Sequence, residues 1–244
     1  MAQVSPVERF MEIASKHTRV PEDESMLRVL REKLGLFDVD VPEVNLKFEV
    51  TGETVSGKYV TFDMPSLVPE KVVVYLRGTP YSSAYLVKRV LEKALDLKCT
   101  PVQIKGDFPY KELGFECVSP KGYINPRKLM GFALLADKLA KDMYERETLA
   151  NPEDREFIEK FLREEVRRAK GKKKAVLEKA LEALERGDRE AYMEAMGYGV
   201  GGYPTGSLGY FKKLGRKLAE RHMSEAMELA RKLTRILEKE EKRR

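Results

Sequence analysis

The chain has no tryptophan, and among its 244 residues only two histidines, two cysteines, two glutamines and three asparagines. Each shortage closes off a kind of chemistry. Two histidines, His17 and His222, without clustered carboxylates argue against a metal centre. Two cysteines, Cys99 and Cys117, are too few for a four-ligand zinc site or a disulfide framework. One bond between them stays open, because hyperthermophile cytosols tolerate disulfides. Long apolar runs are missing too: the longest, "LMGFALLA" at 129–136, is far too short to span a bilayer. The start, "MAQVSPVERFMEIASK", places charges where a signal peptide needs an apolar core. The expectation is a soluble, cytoplasmic protein with no membrane partner and no cofactor.

What the chain has in excess is charge. Asp, Glu, Lys and Arg make up 35% of it, well above the usual quarter. Abundant Lys and Glu with few amides is the profile expected of a hyperthermophile, here an archaeal source. The formal net charge of +6 is unevenly placed. Residues 1–124 carry 17 basic and 18 acidic side chains, and residues 125–244 carry 29 and 22. The basic excess belongs to the second half, where it favours a polyanionic partner.

The periodicity changes along the chain. Residues 5–18 and 22–34 read as two helices, the first opened by Ser5 and Pro6 and the second closed by Gly35. "VNLKFEV" at 44–50 alternates as a half-buried strand does, "TGETVSG" reads as a turn, and "KYVTFDM" at 58–64 as the partner strand. "KVVVYLR" at 71–77 has the continuous apolar middle of a central strand. A helix over 81–97 and a strand over 101–106 predict a parallel crossover, and "GFECVS" at 114–119 predicts an edge strand. From Asn125 onward the pattern is helical, ending in a helix over about 207–241. The expected class is α+β: N-terminal helices and a small mixed sheet with a crossover helix, then an all-helical unit with a long final helix. The expected division is an α+β domain over 1–124 and a basic helical domain over 125–244. The final helix carries an apolar seam and should either span the second half or pair with a second copy as a homodimer.

The stretch "GYGVGGYPTGSLGYFKKLGRK" at 197–217 holds seven of the seventeen glycines and three tyrosines. Gly197, Gly199 and Gly202 match G-x-G-x-x-G in letters only: a helix precedes them instead of a strand, and Pro204 delays the following helix. Ser207 stands where a phosphate-binding loop needs lysine. What remains is a tyrosine-bearing loop, with Tyr198, Tyr203 and Tyr210, that feeds Lys212, Lys213, Arg216 and Lys217. Aromatics beside cations can stack bases and hold phosphates. A second basic cluster, "VRRAKGKKKAV" at 166–176, packs Arg167, Arg168, Lys170, Lys172, Lys173 and Lys174 together, enough to neutralise several phosphates. A solvated interhelical turn would have the same composition.

Weaker signals point elsewhere. "RKLAERH" is similar to the R-x4–6-H pattern of HEPN-type ribonucleases through Arg216 and His222, which would imply acid–base chemistry on a ribose hydroxyl. The strand–helix order of residues 22–106 resembles the core of restriction-endonuclease-like nucleases. Asp63 would supply one of their metal ligands, but "VVVYLR" supplies no acid on the third strand, so the resemblance implies binding without cleavage. "RGTPYSS" at 77–83 offers Thr79, Ser82 and Ser83 as ordinary helix caps. Together these readings predict a non-enzymatic nucleic-acid-associated protein, with RNA favoured over DNA. A subunit-assembly protein and a HEPN-like ribonuclease are the alternatives.

Overall fold

The computed structural model describes residues 49–51, 54–64, 70–76, 79–102, 113–197 and 209–242. The helices expected over 5–18 and 22–34 lie outside these residues. The described strands are β1 (Glu49–Thr51), β2 (Thr54–Ser56), β3 (Val60–Asp63), β4 (Lys71–Leu76), β5 (Lys98–Val102) and β6 (Leu113–Val118). The helices are α1 (Tyr81–Ala94), α2 (Pro126–Glu147), α3 (Arg155–Arg168), α4 (Gly171–Arg186), α5 (Arg189–Ala195) and α6 (Gly209–Lys242), with a 3-10 turn at Pro152–Asp154 before α3. The α+β class and the long final helix hold.

The strands form one sheet in the order β1-β2-β3-β4-β6-β5, and every ladder in it is antiparallel. This corrects three expectations. Residues 51–57 are not one turn, because β2 lies inside them and pairs Thr54 with Thr51 and with Asp63. The sheet is not mixed: β4 and β5 run in the same direction, but β6 lies between them and pairs with both. And β6 is therefore an inner strand, with β5 at the edge. Strand β6 suits that place because Phe115 and Cys117 turn inward, at 2% and 0% exposure. Cys117 faces Cys99 across the ladder, and the two form a disulfide. β4 is central, yet only Val72, Val74 and Leu76 are fully buried; its other face is half-covered.

Helices α1 and α2 pack on the sheet, and α6 lies across that pair. The two ends of α6 are fixed by glycines. A Cβ on Gly215 would meet the Ser82 backbone nitrogen at 2.9 Å, and one on Gly131 would meet Leu237 at 3.2 Å. These contacts run α6 parallel to α1 and antiparallel to α2. The 34 residues of α6 span about 50 Å. Its buried seam is Leu214, Leu218, Ala226, Ala230, Leu233 and Leu237, so the apolar face is occupied within the chain. The buried side chains of sheet, α1, α2 and α6 belong to one cluster that runs across residue 124. Helices α3, α4 and α5 continue from the end of α2: Arg155 joins α3 to the Leu184 carbonyl of α4 (2.7 Å), and Arg189 ties α5 back to the Thr148 carbonyl (2.8 Å).

Two polar details shape this frame. Asp137 of α2 accepts hydrogen bonds from the backbone of Tyr59 (2.7 Å) and Val60 (2.9 Å), fastening the β2–β3 turn to the helix. The close approach requires Gly57, since a Cβ there would overlap the Asp137 carboxyl. At the start of α1 the expected serine capping does not occur. The cap residue is Pro80 and no side chain bonds the free N–H groups. Instead Ser82 donates to the buried Glu147 and Ser83 to the Ala140 carbonyl (2.9 Å), so both serines join α1 to α2.

Candidate functional site

The two basic clusters, some forty residues apart in sequence, meet at one carboxylate. Glu165 lies near the C-terminus of α3 and is 6% exposed. Lys213 of α6 donates to it, and Arg168 lies 3.8 Å away. The charge of Lys173 on α4 also acts on it. Burial works to raise the Glu165 carboxyl, but the Lys213 hydrogen bond and the charges of Lys213, Lys173 and Arg168 outweigh it and hold it below its ordinary value.

Around this point the surface is cationic. Arg167, Arg168, Lys170, Lys172, Lys173 and Lys174 are all exposed on the turn between α3 and α4. Lys174 pairs with Glu178 at 3.5 Å. Among the described residues, Arg167, Lys170 and Lys172 meet no carboxylate. On α6 the exposed cations form two rows. Lys212 and Arg216 lean toward α1, over the rings of Tyr81 (5.9 Å) and Tyr85 (5.6 Å). Lys213, Lys217 and Arg221 lean toward α3: the two lysines over Phe161 (5.8 and 5.5 Å) and the arginine over Phe157 (5.3 Å). Residues four apart on a helix lie about 6 Å apart along its axis, so each row is a regular ladder of charge. Arg216 is matched by Glu220 at 3.0 Å, whereas Lys212 and Lys217 have no carboxylate partner among the described residues.

The helix starts sharpen this. Neither α4 nor α6 has an acidic residue in its first turn, and α4 is opened by Lys170 with no side-chain cap. Lysines there oppose the helix macrodipole, each by about 0.3–1 kcal/mol. A sequence selected for helix stability alone would place Asp or Glu at these positions. Two helix N-termini loaded with lysine, brought to one patch, make a field suited to an anion.

No family model, curated protein or solved structure matches this chain. The site therefore stands on its own geometry. Tyr198 and Tyr203 of the glycine stretch lie outside the described residues, as does the side chain of Tyr210. Arg216 and His222 are not brought together. Arg216 faces Tyr85, while the His222 Nε2 lies 2.9 Å from both carboxylate oxygens of Asp154. Asp154 is fully buried and also receives Arg146 (2.9 Å) and Arg221 (3.0 Å). Burial tends to raise its carboxyl, yet Arg146 and His222 lower it by more. His222 thus helps to lock α6 to the 3-10 turn. Asp63 is half-buried in β3 and pairs across the ladder with Val73. Among the described residues, no group of three or more His, Cys, Asp or Glu side chains is placed to hold a metal ion, and no helix is long and apolar enough to cross a membrane.

Sequence reasoning missed Glu165, Tyr81, Tyr85, Phe157 and Phe161. The only signal for the last two was their i, i+4 spacing on α3, which reads equally well as core packing.

Proposed function

We propose that this chain binds nucleic acid, RNA in preference to DNA, through the patch formed by the α3–α4 turn and the first turns of α6. The observation that carries the reading is the convergence of the two basic clusters on the carboxylate of Glu165, to which Lys213 of α6 donates and from which Arg168 of α3 lies 3.8 Å away. Cations outnumber carboxylates there, and the surplus charges of Arg167, Lys170, Lys172, Lys212 and Lys217 are exposed. Phosphates displaced onto such a surface release condensed counterions, so affinity should fall steeply with salt. Five phosphate contacts correspond to a slope of about −4 to −5 in log Kobs against log salt for a duplex. The test is fluorescence anisotropy with labelled RNA and DNA over a salt series. The slope should lessen by about one for each of Lys170→Gln and Lys172→Gln. A flat salt response, or no binding at low salt, overturns the reading.

A further inference from the structure

We infer that the ligand of this patch is a double helix, held through its phosphates with its bases unread. The inference rests on the nucleic-acid reading above and narrows it. Single-stranded binders combine a basic track with aromatic faces on which bases stack. Among the described residues, the patch has four aromatic rings in the right place, two on each side of α6. Each already carries a cation over its face: Lys212 on Tyr81, Arg216 on Tyr85, Arg221 on Phe157, and both Lys213 and Lys217 on Phe161.

The rings therefore act as seats for the cations. They hold long, flexible side chains above the helix surface, because the ring quadrupole attracts a guanidinium or ammonium over its face. Phe161 is also 4% exposed, which leaves no face for a base. Tyr85 is tied further by its hydroxyl, which donates to Glu220 at 3.3 Å. A base that stacked on any of these rings would have to displace the charge that holds its own phosphate. A duplex asks for no such exchange, because its bases are already stacked inside and its phosphates lie outside. From Lys212 to Arg221 the α6 cations extend about 14 Å, the rise of about four phosphates along one strand of a duplex.

The test compares, at one salt concentration, labelled RNA and DNA duplexes of about 20 base pairs with the corresponding single strands, in two unrelated sequences. Duplexes should bind at least tenfold more tightly than single strands, and the two sequences should agree within twofold. Duplex RNA against duplex DNA then ranks the two sources of the same phosphate chemistry. Single strands binding as tightly as duplexes, or a strong preference for one sequence, overturns the inference while leaving the nucleic-acid reading intact. Absence of binding to every probe overturns both. A second variant separates seat from stacking surface without relying on the probes' form. Tyr85→Leu with Phe157→Leu should change affinity by less than about threefold, whereas loss of a stacked base would cost fivefold or more for each ring. Thermal melting of the variant establishes that it is folded.

Discussion

Two buried carboxylates contact α6, and they differ in what surrounds them. Asp154 is met by Arg146, Arg221 and His222, and Glu153 and Glu225 lie close by, so neither arginine is left without a carboxylate. Its arginines are matched and its histidine is largely enclosed. Glu165 is met by Lys213 and Arg168, from an exposed surface that, among the described residues, holds further cations without a carboxylate partner. The first arrangement consumes its charge internally and fixes the helix. The second leaves a surplus facing outward. The difference between lock and docking surface lies in stoichiometry and exposure, not in residue type.

The comparison is broken most severely at the lock. Asp154→Asn leaves Arg146 and Arg221 without their shared partner, and should cost about 3–5 kcal/mol, as removal of one member of a buried ion pair does. The melting temperature should fall by on the order of 10 °C, while the folded variant keeps the affinity for nucleic acid expected of the wild type. The pH dependence has a defined sign. Asp154 is held below its unfolded value, so its contribution is present above about pH 4 and is lost as pH falls through the lower, folded value. The stability difference between wild type and Asp154→Asn should therefore shrink in strong acid, as measured by denaturant titration.

A stability effect of similar size, unconnected to either carboxylate, is expected at the sheet edge. Replacing both Cys99 and Cys117 with alanine opens an 18-residue loop and should cost about 3 kcal/mol. Nucleic-acid affinity should not change, and a parallel loss of binding would link the edge strand to the patch. The smallest stability effect and the clearest functional one belong to Glu165. Because its partners are largely exposed, Glu165→Gln should move stability by no more than about 1 kcal/mol. On the proposed function it should raise affinity for nucleic acid about threefold to tenfold, on the order of 1 kcal/mol, since a buried opposing charge is gone. Weaker binding of this variant would mean that Glu165 positions the lysines and does not compete with phosphate.

Much of the fold was legible because local rules governed it. Gly187 closes α4 in the left-handed conformation that glycine accepts at least cost, a stop signal that needs no tertiary contact. Asn151 caps the turn before α3 by accepting from the Glu153 N–H at 3.0 Å, and Pro152 follows it at the first helical position, where a missing N–H costs nothing. The strand order was not legible. Inserting β6 between β4 and β5 is a non-local pairing, and an inner and an edge strand of this length share one alternating pattern. Ser82 and Ser83 misled for a related reason: a serine at a helix start is drawn to the backbone unless a neighbouring helix offers a better acceptor, as Glu147 and Ala140 do here.

The sequence by itself determined the amounts: a basic second half, two lysine- and arginine-rich clusters, a long amphipathic final helix, and too little histidine and cysteine for most metal chemistry. Those are sums and periodicities, and they need no partner to be read. Which charges are cancelled and which face outward was decided only in three dimensions. Glu165 looks like any other acid on α3, and His222 like any other polar residue on α6, until the packing of α6 sets one among cations and the other against Asp154. Electrostatic roles depend on distance and burial, and both are properties of the folded arrangement.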